Sequence, residues 1–323
     1  MPPSAGTDPI IVAIVTACGL IMPKTSSRAI TSPAGTADAM ETLAPVDLDV
    51  AQMQKVVAAE GGCVAWGGTV RLSPADDIFI GVERALDIDT EGQLVASVLS
   101  KKIAAGASHV VIDIPVGPTA KVRSNAAADK LAARLAAIAA RFDIHVECIQ
   151  TDGTQPVGRG VGPALEAFDV LAVLQCLPDA PADLKDRACL LAGTILELGG
   201  AAAPGAGRAL AECALARGDA WRKFEKIRAA QGGAREPPRA ALTRDIAARH
   251  SGRVTHIDNR RIGRLAKLAG APDRPAAGLR LAVRLGDDIA AGQPLLRLHA
   301  DSQGEMAYAL AYAEANSDMI AIA

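Results

Sequence analysis

The chain has 323 residues, of which 50% are hydrophobic and only 2% aromatic, and its formal net charge at pH 7 is −2. A chain of this length can bury a large core and form two domains, while a charge so close to zero argues against non-specific binding of nucleic acid or of a membrane surface. The six cysteines are widely spaced and include no Cys-x-x-Cys pair, which favours reduced thiols in a cytoplasmic protein over a disulfide framework or a zinc site.

An apolar run at residues 10–22 is the first segment with a clear pattern. Residues 1–9 contain no lysine or arginine, so the basic region that a secretory signal needs ahead of its apolar run is missing. The run is also too short to span a bilayer. It therefore predicts a buried helix over residues 10–19 and a cytoplasmic protein without membrane partners.

A polar segment at residues 23–41, PKTSSRAITSPAGTADAME, follows this helix. Its first half concentrates hydroxyl side chains around one arginine: Thr25, Ser26, Ser27, Arg28, Thr31 and Ser32. Hydroxyls, backbone N–H groups and a guanidinium are suited to binding an oxyanion, although the composition alone is also compatible with an ordinary Ser/Thr-rich loop. A helix is predicted over residues 37–43, with Thr36 as its N-cap and Asp38 in its first turn.

Strand and helix patterns alternate from there to about residue 150. Helices are predicted at residues 50–60, 93–105 and 126–142, and strands at 63–66, 78–84, 109–116 and 144–150. Strands that alternate with helices across short connections indicate an α/β fold with a mostly parallel sheet and flanking helices.

The remainder divides into a helical region and a small module. Residues 165–231 show only helical patterns, reached through a loop at 151–165 that we interpret as a hinge. The Gly and Pro pairs at 232–233 and 237–238 mark a linker. We therefore predict a first domain over residues 1–235 and an α+β domain over 236–323, with strands at 253–257, 279–285 and 294–299 and a helix at 306–315.

One helix carries a candidate catalytic pattern. Ser97 and Lys101 are four residues apart on the helix predicted at 93–105, so they project from one face about one turn apart. Arg84 lies upstream, at the end of an extended segment. On spacing alone, a solvated lysine and a surface arginine are the more common interpretation.

Three blocks carry a resemblance to a known family: KTSSRAITSPAGTADAME at 24–41, ASVLSKK at 96–102 and SGRVTHIDNRRIGRLAKLAGAP at 251–272. They resemble the thymidine phosphorylase family in its long-form branch, which also contains the AMP phosphorylases. The resemblance implies a pentosyltransferase that converts thymidine and phosphate to thymine and 2-deoxyribose 1-phosphate. It also implies a homodimer with a nucleoside and phosphate as its small-molecule partners, inorganic phosphate as co-substrate, and neither an organic cofactor nor a metal.

The same resemblance implies roles for five residues. Ser26 and Thr36 match the hydroxyls that hold phosphate, and Arg84, Ser97 and Lys101 match the set that binds the pyrimidine. The departing base accumulates negative charge, which Lys101 and Arg84 would stabilise as the catalytic cations. Ser97 would hydrogen-bond to the edge of the base.

Two departures from the family pattern predict weak or absent phosphorolysis, as expected of an N-terminally truncated member. The chain begins too late to include the family's Lys-His-Ser/Cys-x-Gly-Gly segment, and Asp8 occupies a position where relatives carry a phosphate-binding hydroxyl. Each lost hydrogen bond to a charged group costs about 1.5–3 kcal/mol. Two alternatives stay open: a non-catalytic nucleoside-binding remnant, and phosphorolysis of nucleoside monophosphates as in AMP phosphorylase.

Overall fold

A computed structural model describes residues 6–29, 31–70 and 91–323 of the protein. Its helices are α1 (Thr7–Ala17), α2 (Thr36–Glu41), α3 (Val50–Glu60), α4 (Gly67–Val70), α5 (Glu91–Ala104), α6 (Asn125–Ala139), α7 (Pro163–Leu174), α8 (Ala182–Leu198), α9 (Gly207–Ala216), α10 (Asp219–Ala230), α11 (Asn259–Leu268) and α12 (Gln303–Ala315). Its strands are β1 (Met22–Ser26), β2 (Gly62–Trp66), β3 (His109–Val116), β4 (His145–Asp152), β5 (Gly160–Val161), β6 (Leu242–Ala247), β7 (Gly252–Ile257), β8 (Gly278–Leu281), β9 (Asp288–Ile289), β10 (Pro294–Ala300) and β11 (Ile320–Ile322). In these ranges no helix is both long and apolar enough to cross a membrane.

Helix α1 lies at the centre of the largest hydrophobic core. Ile10 and Ile14 are completely buried, and α1 packs against β1 and β2 as well as against α8 and α10. A helix that is apolar on every face has to be enclosed in this way. The predicted buried helix is confirmed, and it begins three residues earlier than predicted, at Thr7 rather than residue 10. The early start is consistent with Asp8 and Pro9, which are favourable in a first turn.

The central strands form parallel pairs, as the α/β prediction requires. Strands β1 and β2 pair in parallel from Met22↔Gly62 to Ser26↔Trp66. Strands β3 and β4 pair in parallel from His109 opposite His145 along the whole length of both strands. In the described part of the chain these strands make two separate pairs rather than one continuous sheet. The second pair is packed against α6 and α8.

Helices α7 to α10 form the predicted helical region, and the close approach of two of them depends on glycine. Gly193 of α8 faces Gly207 of α9, and a Cβ added at Gly207 would lie 2.1 Å from the carbonyl oxygen of Gly193. No side chain fits at that distance, so the two helix backbones are in direct contact. Their alanine- and leucine-rich faces join the core around α1, which includes the fully buried Phe224.

The C-terminal module contains a four-stranded sheet in the order β5-β8-β10-β6 and a three-stranded sheet in the order β11-β7-β9. Helices α11 and α12 pack on these strands around a separate hydrophobic core. One strand of the larger sheet, β5, comes from residues 160–161, well before the predicted linker, and pairs with β8. The module's sheet therefore takes strands from both sides of residue 236, namely β5 before it and the other three after residue 240. The domain boundary at residue 236 remains a prediction.

Buried polar contacts attach the module to the loop before α7. The Asp169 carboxylate of α7 accepts hydrogen bonds from the backbone N–H groups of Arg159 and Gly160 at 2.6 and 2.7 Å, and from the Arg280 guanidinium of β8 at 3.1 Å. The Arg284 guanidinium donates to the carbonyl oxygens of Pro156 and Gly158. The loop at 151–165 is therefore tied to the module by hydrogen bonds, and its role as a hinge remains a prediction.

Candidate functional site

Three elements bring a carboxylate, a lysine and a hydroxyl together at the N-terminal end of α1. Lys24 of β1 lies 2.9 Å from Asp8 in the first turn of α1. Thr36, the first residue of α2, donates its hydroxyl hydrogen to the same Asp8 oxygen at 3.0 Å. We call Asp8, Lys24 and Thr36, together with Lys102 described below, the anion-site cluster.

Thr36 does not have the predicted role of N-cap. The N-cap of α2 is Gly35, which has extended backbone angles. The Asp38 carboxylate accepts a hydrogen bond from the Gly35 N–H at 2.8 Å and another from the Ala29 N–H at 2.6 Å. Because Asp38 caps the helix from within its first turn, the Thr36 hydroxyl is available to Asp8.

Lys102, near the end of α5, is the second cation of the cluster. Burial and the positive charges of Lys24 and Lys101 together lower the pKa of Lys102 to about 8, against the opposing effect of the negative charge of Asp8. Lys102 therefore interacts electrostatically with Asp8 and Lys24, and we include it in the cluster on that ground.

Replacing Lys102 by methionine is expected to stabilise the fold by about 1–3 kcal/mol at pH 7, because a buried ammonium costs free energy that an apolar side chain does not. The pKa in the folded chain, about 8, is below the unfolded value of about 10.4. The unfolded chain thus binds more protons between these values, and the stability of the unmodified chain should rise with pH across that window. Urea unfolding at about pH 7 and pH 9.5 measures both effects.

The control for this prediction is Lys130→Met, which removes an exposed helical lysine from α6. It should change the free energy of unfolding by less than about 0.5 kcal/mol at either pH, as expected of a surface substitution. Equal stabilities of the two variants at pH 7 would show that Lys102 carries no cost of burial.

Arg28 pairs with carboxylates of the chain itself, so its guanidinium is not placed to bind an anion from solution. It forms a two-pronged pair with Glu41, whose pKa it lowers by hydrogen bonding, and lies 3.5 Å from Asp38 and from Asp47. Its guanidinium also covers the ring of Trp66 at 4.7 Å from the centroid. Arg28 therefore fixes the course of residues 28–47 and leaves the lysines as the cations next to Thr36.

The five predicted site residues lie on different elements, and not all of them are in the described part of the chain. Thr36 is in the cluster, and Ser26 follows Lys24 by two residues on β1, which places both on the same face of that strand. Lys101 is half-buried and adjacent to Lys102 on α5. Ser97 lies on α5 one turn before Lys101, with its side chain outside the described part. Arg84 lies outside the described residues altogether.

Lys24 and Lys102 were not predicted as site residues, and Asp8 was expected only to stand in place of a phosphate-binding hydroxyl of the relatives. Lys24 could have been found from strand alternation, since it shares a face with Ser26. Lys102 is the second member of a Lys-Lys pair, and spacing alone does not show which of the two lysines interacts with Asp8. The salt bridge between Asp8 and Lys24 joins a helix to a strand through tertiary packing and has no local signal.

A second buried polar group lies close to the cluster on β3. Asp113 accepts a hydrogen bond from Thr151 at 2.5 Å and pairs with Arg187 of α8 at 3.7 Å. Burial raises the pKa of Asp113, and the charge of Asp8 contributes in the same direction. Arg187 thereby links the helical region to the β3–β4 pair beside the candidate site.

One large cavity does not coincide with this cluster. It has a volume of about 1080 Å³ and lies between residues 28–42 and the segment at 267–275 of the C-terminal module. Its lining mixes cations and carboxylates, among them Arg235, Glu236 and Asp273. Across residues 6–29, 31–70 and 91–323, no group of three or more His, Cys, Asp or Glu side chains could hold a metal ion.

Two family models match this chain. The model described as "Glycosyl transferase family, a/b domain" matches residues 10–221, and the "Pyrimidine nucleoside phosphorylase C-terminal domain" matches residues 253–319. The glycosyl transferase match covers most of α1, most of the anion-site cluster and the helical region. The second match covers most of the C-terminal module.

Relatives align with almost the whole chain. A protein of Chelativorans sp. (strain BNC1) named "Putative thymidine phosphorylase" is 65% identical over 320 residues, which is 99% of this chain and 63% of the relative. A protein of the same name from Parvibaculum lavamentivorans is 63% identical with the same coverage. The chain thus spans 63% of the length of these relatives.

A solved structure of low identity shows the same fold. Anthranilate phosphoribosyltransferase (TrpD) from Thermus thermophilus superposes with a TM-score of 0.57 over 71% of this chain and 74% of that one, at 19% identity. A likeness at that identity speaks for the fold alone. The α/β fold class predicted from the sequence is confirmed.

Proposed function

The chain belongs to the glycosyl transferase family that contains the thymidine phosphorylases, and we propose that it transfers a pentosyl group from a pyrimidine nucleoside to inorganic phosphate. The observation that carries this proposal is the anion-site cluster, where the Lys24 ammonium and the Thr36 hydroxyl both contact one negatively charged group, the Asp8 carboxylate. Cations and hydroxyl donors in this arrangement are complementary to an oxyanion.

In the proposed reaction, a phosphate oxygen attacks C1′ of the nucleoside and forms a new C–O bond. The C1′–N bond to the base breaks, its electron pair stays on the base nitrogen, and that nitrogen takes up the proton that the hydrogen phosphate ion loses. For thymidine, the products are thymine and 2-deoxyribose 1-phosphate. No cofactor beyond phosphate as co-substrate is needed, because phosphate brings the nucleophile and the base leaves with the electron pair.

The side chains of this chain would hold and stabilise the reacting groups. Ser26 and Thr36 would donate hydrogen bonds to phosphate, with Lys24 beside them as a counter-charge. Lys101 and Arg84 would stabilise the negative charge that develops on the base, and Ser97 would orient its edge. Stabilising charge that appears only in the transition state raises kcat rather than substrate binding alone.

The rate is expected to be low as long as Asp8 occupies the cluster, because its carboxylate competes with phosphate for Lys24 and Thr36. We also propose that the protein forms a homodimer and lies in the cytoplasm. Neither bears on the chemistry at α1.

The test is incubation of the chain with thymidine, uridine or AMP, with and without phosphate, followed by chromatography of the free base. We expect slow release of thymine from thymidine that requires phosphate. Release of base without phosphate would indicate hydrolysis, and release from AMP alone would favour the nucleoside monophosphate alternative. Thymidine binding without release of thymine at any enzyme concentration would indicate a non-catalytic nucleoside-binding protein.

A further inference from the structure

The Asp8 carboxylate already makes contacts that a bound oxyanion would make. One of its oxygens lies 2.9 Å from the Lys24 ammonium and accepts the Thr36 hydroxyl hydrogen at 3.0 Å. Both distances are those of ordinary charge-assisted hydrogen bonds. A carboxylate is itself an oxyanion, so Asp8 takes the place that a bound oxyanion would have beside Lys24 and Thr36.

The position of Asp8 on α1 favours a negatively charged carboxylate at this place. It lies in the first turn of an 11-residue helix, where a negative charge is favoured by the partial positive charge of the helix N-terminus. Its side chain is 27% exposed and that of Lys24 is 25% exposed. A small ion from solvent could therefore reach the same groups, but only in competition with Asp8.

Phosphate and Asp8 cannot share these partners. Asp8 pairs with Lys24 and accepts the Thr36 hydroxyl hydrogen, so a phosphate dianion added without moving Asp8 would place two anionic groups on the same two donors. Like charges within a few ångströms repel strongly in a partly buried site. Phosphate binding thus requires Asp8 to turn away from Lys24 or to be replaced.

We propose that Asp8 acts as a built-in occupant of the oxyanion site and sets its affinity for phosphate, with Lys24 as the counter-ion that is released when Asp8 is neutralised. The proposal rests on the proposed function and deepens it by naming the residue that determines phosphate affinity. A threonine or an asparagine at position 8 would keep a hydrogen-bonding side chain without the charge. Either variant should bind phosphate about 10- to 100-fold more tightly, since each hydrogen bond to a charged group contributes enough for roughly a tenfold change.

The experiment is isothermal titration of inorganic phosphate into the unmodified chain and into Asp8→Asn and Asp8→Thr. Asp8→Asn is close to isosteric, so a failure of one variant to fold leaves the other as a test; circular dichroism melting identifies a variant that has not folded. Asp143→Asn is the matched control, because it removes an exposed aspartate from a left-handed turn position that asparagine tolerates well. We expect it to leave the phosphate affinity unchanged.

The double variant Asp8→Thr with Lys24→Met tests the second half of the proposal. It should lose most of the gain of Asp8→Thr, because the released counter-ion is then missing. The proposal would be overturned if both position-8 variants bound phosphate no more tightly than the unmodified chain, or if Lys24→Met left the gain intact.

These outcomes are separate from those of the proposed function. Tighter phosphate binding without any phosphorolysis of thymidine, uridine or AMP would support the role of Asp8 and contradict the enzyme assignment. Phosphate-dependent thymine release with equal phosphate affinities in all variants would support the enzyme assignment and contradict the role of Asp8.

Discussion

Replacing Lys101 by methionine is expected to lower kcat for phosphorolysis of thymidine by roughly 10²- to 10³-fold, the usual effect of removing one preorganised group from a developing negative charge. Methionine keeps the length and the apolar stem of lysine, so helix α5 should form as before. KM for thymidine should rise much less than kcat falls, because the ammonium is needed most when the base carries charge. Initial rates over a range of thymidine concentrations at saturating phosphate separate the two parameters.

Because the unmodified chain is expected to be slow, the comparison is best made in the Asp8→Thr background as well. Lys130→Met serves as the control again, since it removes a lysine from the exposed face of another helix. It should leave kcat within a factor of about two. Unchanged kcat in Lys101→Met would show that Lys101 does not stabilise the departing base.

Replacing Asp169 by alanine is expected to destabilise the protein by about 2–4 kcal/mol, since it removes the acceptor of two backbone N–H groups and the partner of a partly exposed guanidinium. The side chain is 2% exposed and satisfies the N–H groups of Arg159 and Gly160 as well as the Arg280 guanidinium. Burial raises the pKa of Asp169, while the Gly160 N–H and Arg280 lower it. The loss should be visible in urea unfolding followed by circular dichroism.

Asp186→Ala is the matched comparison. That aspartate lies on the exposed surface of α8 and pairs with Arg208 at 3.4 Å, a type of contact that contributes at most about 1 kcal/mol. Limited proteolysis would add a local readout, because loss of Asp169 should expose the 156–160 segment before the rest of the chain. Equal unfolding free energies for the two variants would mean that the module is held by its apolar contacts alone.

Local patterns were sufficient to predict much of the fold. The helix Val50–Glu60 and the strand His109–Val116 have the predicted bounds, because one is closed by a left-handed Gly61 and the other is a nearly uninterrupted apolar run. The parallel pairing of β3 with β4 followed from a single intervening helix. Strand β5 was not predicted, since two residues with a glycine give no periodic signal and pair only with a strand more than 100 residues later.

The candidate site was predictable in composition but not in its internal pairings. The hydroxyl segment pointed to an anion, and the structure brings Thr36 of that segment to Asp8 and Lys24 at the N-terminal end of α1. The partners within the site depend on tertiary contacts. Arg28 was expected to face an anion and instead binds Glu41, and Asp38 took over the capping role expected of Thr36.

The arginine stacked on Trp66 gives the protein an optical reporter. The chain has only two tryptophans, and the other, Trp221, packs beside Phe224 in the core around α1. Indole emission responds to a nearby charge, so a rearrangement of the segment that carries Arg28 and Thr36 should shift the signal of Trp66 and leave that of Trp221 constant. Substituting Trp221 by phenylalanine would then leave Trp66 as the single tryptophan. Its fluorescence would report when a ligand occupies the cavity that Arg28 lines.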